Sequence, residues 1–352
     1  MKDNDFGDSS INFSFEKARH LILTVDKNSS FPTSIYNIKN LRSLLFQFES
    51  GMNSFDGVLL ELLGKNTCLR ALAMGGTAKF DMMTGWQYGH PIKLERIPKE
   101  IRKLTHLSQL EGSLGIKSLG NVTNVSEAHR IQLENKKNIL KLELGFGGSD
   151  SVNNEAIIEA LQPPPNLQRL AISEYAGNAV LPNWITSLTN LRSIWLIEWI
   201  NCEQLPPLGK VSSLESIVIQ RMKRVKRVGI EILGLESDGI TLSSSSSSIS
   251  AFPKLKTLKF VEMEELEEWD FGIEDDNITI MPSLRVLQIE DCPKLKVLPK
   301  KILPMAPLEV LSIDRCPILM DRYREGTGEN WSDISHIPNI QIDRQYMQRN
   351  GR

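Results

Sequence analysis

The sequence predicts an α/β solenoid: stacked coils with a concave parallel β-sheet, irregular convex loops and short helices. Two observations predict it. An aliphatic-x-x-aliphatic-x-aliphatic motif returns along most of the 352 residues, and a proline-bearing motif recurs between its copies. One apolar edge per coil cannot be buried by that coil alone, so a chain built this way must stack its coils into a shared interior.

The strand motif is clearest at Leu191/Ile194/Leu196, Leu214/Ile217/Ile219, Leu255/Leu258/Phe260, Leu284/Leu287/Ile289 and Leu308/Leu311/Ile313. Earlier copies stand at Leu41/Leu44/Phe46, Leu69/Leu72/Met74, Ile139/Leu142/Leu144 and Leu167/Leu170/Ile172, with a weaker one at Ala18/Leu21/Leu23. The third anchors fall at 23, 46, 74, 116, 144, 172, 196, 219, 260, 289 and 313. Most steps match the leucine-rich-repeat period of about 20–29 residues. Side chains alternate along a strand, so the second and third anchors point inward and the residues between them point out.

The second landmark is Phe31-Pro32, Ile97-Pro98, Leu181-Pro182 and Leu298-Pro299, each followed by an isoleucine three positions after the proline. Proline cannot donate to a ladder and suits the irregular return side of a coil. A slot three residues past the third anchor holds Gly147, Tyr175, Trp199, Met222, Cys292 and Cys316. Consensus repeats place a buried Asn or Cys there, which makes Cys292 and Cys316 structural residues.

Two convex segments have helical spacing. Ser126 is the expected N-cap for 127–135, and Asn153 for 154–161, which Pro163-Pro164-Pro165 would stop. Two anchor steps are long. Between 219 and 260 lies a serine tract, Ser243 to Ser248, expected as a disordered loop over 236–250. Between 74 and 116 a coil begins at Ile97-Pro98, but its third anchor would fall on Gly112, and Ser113-Leu114-Gly115-Ile116 starts at once. Residues 107–113 therefore read as a seam. The expected organisation is a tail at 1–17, N-terminal coils over 18–112, C-terminal coils over 113–340 and a tail at 341–352.

Composition limits function. Forty-one basic residues face forty-three acidic ones, for a formal charge of −2. That excludes a role resting on an overall cationic field, such as non-specific nucleic-acid binding. No apolar run reaches the roughly 18 residues of a membrane span. The start, Met1-Lys2-Asp3-Asn4-Asp5, does not read as a signal peptide, and Cys68, Cys202, Cys292 and Cys316 are too scattered for a disulfide scaffold. The expected compartment is the cytoplasm, with the nucleus or the inner membrane surface also compatible.

Catalytic patterns are missing. Gly64-Lys65-Asn66 lacks the glycine spacing and the hydroxyl of a phosphate-binding loop. The histidines, His20, His90, His106, His129 and His336, are dispersed, with no HExxH or CxxC pair. No enzyme activity, cofactor or metal is expected.

Recognition residues are expected on the concave face: Ser193, Trp195 and Ile197, then Val218 and Gln220, then Lys259 and Val261, then Gln288 and Glu290, and Asp314. An exposed tryptophan beside aliphatic residues suits a partner hot spot. Cover by a domain outside this chain, or apolar residues scattered singly, would fit as well. Arg221, Lys223, Arg224, Lys226 and Arg227 pack five cations into seven residues, a pattern that could also bind phosphate. Glu264, Glu265, Glu267 and Glu268 occupy the same phase one coil later, so mutual compensation along a charged rim is expected.

Particular stretches carry a family resemblance. Leu188-Thr-Asn-Leu-Arg-Ser193, Asn201-Cys-Glu-Gln-Leu-Pro-Pro-Leu-Gly209, Leu266-Glu-Glu-Trp-Asp270, Asp291-Cys-Pro-Lys-Leu295 and the ending Ile334-Ser-His-Ile-Pro-Asn-Ile340 resemble plant intracellular immune receptors. The class is the coiled-coil, nucleotide-binding, leucine-rich-repeat disease resistance proteins, and the similarity is to their repeats, from Ala18 to Ile340. It implies sensing of a pathogen effector or a guarded host protein, and autoinhibitory contact with a nucleotide-binding domain. The residues of the family's ADP/ATP switch are not among those present, so that switch does not carry over. The residues also fit a stand-alone scaffold or adaptor unrelated to immunity, or an inert truncated product.

Overall fold

The computed structural model describes residues 19–25, 38, 42–48, 71–76, 92–94, 112–116, 119–122, 124–147, 153–178, 181–235, 249–273, 277–304 and 306–351. Its first strands are β1 (His20–Val25), β2 (Ser43–Phe48) and β3 (Ala71–Gly76). Then come β4 (Ile92–Leu94), β5 (Gly112–Ile116), β6 (Ile139–Gly145), β7 (Arg169–Ser173), β8 (Ser193–Ile197) and β9 (Ser216–Gln220). A two-residue β10 (Arg227–Val228), β11 (Ile249–Ala251), β12 (Thr257–Val261), β13 (Glu268–Trp269) and β14 (Ile278–Ile280) follow. The chain ends through β15 (Val286–Glu290), β16 (Val310–Asp314), β17 (Asn339–Ile342) and β18 (Gln345–Gln348).

β1, β2 and β3 form one parallel sheet in which Leu21, Leu44 and Leu72 share a register position, as do Leu23, Phe46 and Met74. The main sheet has eleven strands in the order β18-β17-β16-β15-β12-β9-β8-β7-β6-β5-β4. Every pairing in it is parallel except β17 with β18. A large parallel sheet with few short helices, built from these repeats, is a leucine-rich-repeat solenoid.

The register explains the period. Leu142, Leu170, Ile194, Ile217, Leu258, Leu287, Leu311 and Ile340 lie in one row across the sheet. Leu144, Ile172, Leu196, Ile219, Phe260, Ile289 and Ile313 lie in the next inward row, and both rows are buried. The first anchors, Leu167, Leu191, Leu214, Leu255, Leu284 and Leu308, complete the same core. Just ahead of several first anchors a small polar residue ties its coil to the previous one. Asn190 Nδ2 donates to Pro165 O, Ser213 Oγ to Leu191 O and Ser283 Oγ to Pro253 O.

The slot past the third anchor is filled and buried, with Tyr175, Trp199, Met222, Met263, Cys292 and Cys316 in successive coils. Tyr175 stacks on Trp199 with ring centroids 4.7 Å apart, and Phe146 meets Tyr175 edge-on at 5.1 Å. Phe146 thus supplies the aromatic ring there, one position before the expected Gly147. Cys292 N–H donates to Cys316 Sγ at 3.3 Å.

Helix α1 covers Val125–His129 and is capped by Asn124, whose Oδ1 accepts from Ser126 N–H at 2.9 Å; the expected cap, Ser126, lies inside it. The segment expected to stay helical to 135 breaks at Arg130 and ends in a 3-10 turn over Leu133–Asn135, with Gln132 in the left-handed region. Helix α2 covers Asn154–Ala160, close to expectation. Two further short helices, α3 (Pro317–Arg322) and α4 (Trp331–Ile334), sit between β16 and β17.

Several boundaries differ from the sequence reading. Ile92–Leu94 is a strand in register with Leu114–Ile116, so the step from Leu94 to Ile116 has ordinary coil length. The division between 112 and 113 therefore falls inside β5, while 107–111 lie outside the described residues. The loop expected over 236–250 ends in β11, because Ile249–Ala251 pairs with β14; 236–248 lie outside the described residues. The tail expected over 341–352 is β-structure: Ile342 continues the third-anchor row, and β18 folds back on β17. Its pattern is short, which hides it from a motif that needs three anchors. The long step from 219 to 260 leaves the sheet intact, because β12 pairs directly with β9. The insertion packs back at Gly209, where a Cβ would run into the backbone carbonyl of Leu233.

Two polar groups set stability at the edges of this core. Leu298 N–H donates to the hydroxyl of the buried Tyr323 at 3.1 Å. Tyr323→Phe leaves that N–H without a partner and should cost about 1–3 kcal/mol in urea unfolding. Leu287→Ala in the anchor row should cost about 2–5 kcal/mol, and an unchanged midpoint for both would contradict the shared core. Cys202 is buried, and burial pushes its thiol up to about 12, against the opposing pull of the Gln204 carbonyl contact. An unfolded cysteine ionises near ~8.5, so the folded chain retains a proton that the unfolded chain has lost. Its stabilising contribution is full below that pH and is lost as pH climbs toward 12. Cys202→Ala should therefore lose less stability over that window than the parent chain, read as the difference between two unfolding series.

Candidate protein-recognition surface

Alternation along each strand leaves three rows on the open face of the sheet. The middle row reads Ala171, Trp195, Val218, Lys259, Gln288, Ser312 and Gln341, all in register. The row toward the strand ends reads Ser173, Ile197, Gln220, Val261, Glu290 and Asp314. The sheet brings all ten sequence-predicted concave residues onto one face.

Their exposure differs from the expectation. Trp195 is half-buried, with Nε1 donating to Ser193 Oγ at 3.2 Å. Its neighbour in the row, Ala171, is small and buried. Val218, Val261, Ser193 and Gln220 are buried, and Ile197 is half-buried. Strands about 4.8 Å apart bring the side chains of one row into contact, and a sequence motif read one coil at a time does not show this. The face changes character along its length. It is apolar over β7, β8 and β9 and charged from β12 to β17, where Lys259 and Glu290 are half-buried and Asp314 is 9% exposed.

Beyond the strand ends lies a feature the sequence reading missed. The residue two places past the third anchor has positive φ in successive coils: Glu174, Glu198, Arg221, Glu262, Asp291 and Arg315. Each is charged, although the left-handed region ordinarily favours glycine or asparagine. Corner N–H groups reach the neighbouring coil: Glu198 N–H donates to Gln220 O, Arg221 N–H to Val261 O and Glu262 N–H to Glu290 O. The side chains form a ladder of ion pairs. Arg221 meets Glu198 at 2.9 Å and Glu262 at 3.0 Å, and Gln220 Nε2 donates to Glu262 Oε1 at 3.1 Å. The bond to Glu198 is the first cause that raises the Arg221 pKa. Arg315 binds Asp291 through two nitrogens at 2.5 and 2.6 Å, Glu290 at 2.7 Å and Asp314 at 2.7 Å. A charged residue at a fixed offset in six successive coils, from Glu174 to Arg315, was the signal that could have revealed this ladder.

The charged rim is not self-compensating as expected. Arg221 pairs with Glu262, but Glu265 pairs with Lys294 at 2.6 Å and Glu267 with Lys296 at 2.8 Å. The contact with Lys296 is also the first cause that holds the Glu267 carboxyl below its usual range. Lys294 and Lys296 have the same phase as the basic segment but lie on the other side of the acidic one, and the carboxylates turn to them. Among the described residues the side chains of Lys223, Arg224, Lys226 and Arg227 form no ion pair, and all four are exposed. Glu264 and Glu268 are exposed as well. The result is four exposed cations on one coil next to the acidic one: Arg227 is the register partner of Glu268, and Lys226 helps to hold the Glu267 carboxyl low.

No helix among the described residues is long and apolar enough to cross a membrane. The arrangement offers an apolar stretch, a polar stretch and a cationic edge to a macromolecular partner, and its three described thiols are buried. Because Arg221 is partly exposed, its pairs are screened. An Arg221→Ala, Glu198→Ala double-mutant cycle should give a coupling of about 0.5 kcal/mol that shrinks with added salt. A coupling of zero at low salt would mean that the corner ladder contributes nothing to stability.

Known proteins carry the same pattern. Residues 101–222 match the family model described as R13L1/DRL21 leucine-rich repeats. The chain is 29% identical over 232 residues to the disease resistance RPP13-like protein 1 of Arabidopsis thaliana, covering 62% of this chain and 21% of that one. It is 29% identical over 201 residues to the disease resistance protein RGA2 of Solanum bulbocastanum, covering 53% of this chain and 19% of that one. The chain thus spans about a fifth of the length of these relatives. Among solved structures, the leucine-rich repeat domain of the type III effector XopL aligns at 17% identity and a TM-score of 0.43, covering 71% of this chain and 73% of that one. The resemblance to plant nucleotide-binding leucine-rich-repeat disease resistance proteins is upheld over the repeats.

Proposed function

We propose that this chain is the recognition and regulatory part of a plant intracellular immune receptor, binding proteins rather than catalysing a reaction. The similarity to disease resistance proteins supports the setting. The observation that carries the reading is the middle row of the sheet, in which Trp195 and, past the buried Val218, Lys259, Gln288 and Ser312 stay partly exposed on one face of neighbouring coils. That face suits the surface of a pathogen effector or a guarded host protein, with Trp195 as the aromatic anchor. The patch formed by Lys223, Arg224, Lys226 and Arg227 is suited to a different contact: an acidic surface on a nucleotide-binding domain, held in the resting receptor. The expected setting is the cytoplasm, including the inner membrane surface or the nucleus.

Separate variants test the two contacts. Trp195→Ala should weaken effector or guarded-protein binding by about 2 kcal/mol or more. Reversing all four cations to glutamate should weaken association with the nucleotide-binding domain and flatten its salt dependence, since exposed charges act over about a Debye length. Both are read by surface plasmon resonance on folded protein. Unchanged affinity for every immune partner, together with capture of ubiquitin-ligase or kinase components, would favour a scaffold outside immunity.

A further inference from the structure

At the C-terminal end of the open face the sheet forms a shallow concavity of about 110 Å³, open to solvent. Lys259, Gln288, Glu290, Ser312, Asp314 and Arg344 contribute to its lining. The group that stands out is Asp314. It is 9% exposed, yet only one of its two carboxylate oxygens is satisfied. Oδ2 accepts from Arg315 Nη1 at 2.7 Å and from Arg344 Nε at 3.4 Å. Oδ1 is buried and has no hydrogen-bond partner. A buried carboxylate oxygen without a donor is costly and calls for one.

The surrounding charges say what kind of donor fits. Arg315 is fixed by three carboxylates, Glu290, Asp291 and Asp314, and cannot be spared. Arg344 is different. It lies at the turn between β17 and β18, its side chain is 72% exposed, and its single contact to Asp314 is long, at 3.4 Å. An incoming cation could take its place at Oδ2 with no change in local charge, and a small rotation of the carboxylate in that exchange would bring the shielded Oδ1 within its reach. An incoming anion would meet Glu290 and Asp314 and would have to draw Lys259 from its 3.7 Å contact with Glu290.

We propose that this concavity is a subsite for one cationic side chain, an arginine or lysine, of a bound protein partner, with Asp314 as its acceptor and Arg344 as the resident group it displaces. The proposal rests on the reading of the open face as a partner-binding surface, and adds the chemistry that one end of it selects. Gln288 and Ser312, in the middle row beside it, supply neutral hydrogen bonds to the adjoining peptide.

A pair of peptides tests it directly: acetyl-Gly-Gly-Arg-Gly-Gly-amide and the same peptide with citrulline, which keeps the shape and removes the charge. Both are titrated into the full chain at low salt and followed by ligand-observed NMR. The arginine peptide should bind saturably, and the citrulline peptide about tenfold or more weakly, the loss expected for a charged hydrogen bond. Asp314→Asn should abolish that preference. Arg344→Gln, at an exposed turn, should tighten arginine-peptide binding several-fold, and it keeps the test alive if Asp314→Asn fails to fold by circular dichroism. Equal binding of the two peptides, or no tightening with Arg344→Gln, would overturn the subsite. These readouts use no immune partner. A failed preference beside a Trp195-dependent partner would remove the subsite alone, and the reverse pattern would remove the proposed function alone.

Discussion

The structure depends on lateral burial between coils. A single coil presents two or three aliphatic side chains on one edge and has no interior to place them in. Stacked in register, the same side chains form continuous rows, such as Leu258 beside Leu287 beside Leu311, each 0% exposed. Every other feature is constrained by the need to keep that register from coil to coil. The insertion after β9 leaves β12 paired directly with β9, and its described part packs its own aliphatic side chains, such as Val228 and Leu233, into the same core. The corner residues take a left-handed conformation, at a cost of order 1 kcal/mol each, where the chain turns out of the strand, and the N–H groups of Glu198, Arg221 and Glu262 still bond to the adjacent coil.

The same constraint builds the recognition surface. Once the anchors are in register, the residues between them are in register too. Side chains distant in sequence, such as Trp195, Lys259 and Gln288, become neighbours on one face. The corner position gathers one charge per coil, and the outcome depends on the order of signs. Around Arg221 and Arg315 carboxylates flank a guanidinium and the ladder closes. On the rim the acidic coil lies between two basic ones, and Glu265 and Glu267 close on Lys294 and Lys296, so that among the described residues Lys223, Arg224, Lys226 and Arg227 form no salt bridge of their own.

The sequence makes the core legible because burial there depends on residue type and period alone. The anchors from Leu142 to Ile313 and the slot cysteines are where the period places them. What it hides depends on neighbours in other coils. Trp195 reads as exposed although the folded chain half-buries it and bonds its Nε1 to Ser193 Oγ, and Val218 and Val261 read as surface although both are buried among the side chains of neighbouring strands. β4 and β18 are too short to carry three anchors, so the motif passes over them. Pairing on the rim is ambiguous in sequence because Arg224 and Lys294 stand at the same phase on either side of Glu265. The candidate site was therefore half legible: the face and its residues followed from alternation, while the corner ladder and the concavity around Asp314 required the assembled sheet.

Residue-resolved amide hydrogen exchange on the free chain tests the shared interior most directly. If the coils are held by common burial, the amides of β9, β12, β15 and β16 exchange slowly and together, and the corner amides of Glu198, Arg221 and Glu262 are protected with them while those of Lys223 and Arg224 are not. Fast exchange at the corners, or strands that open one by one at rates typical of loops, would contradict a single stacked core.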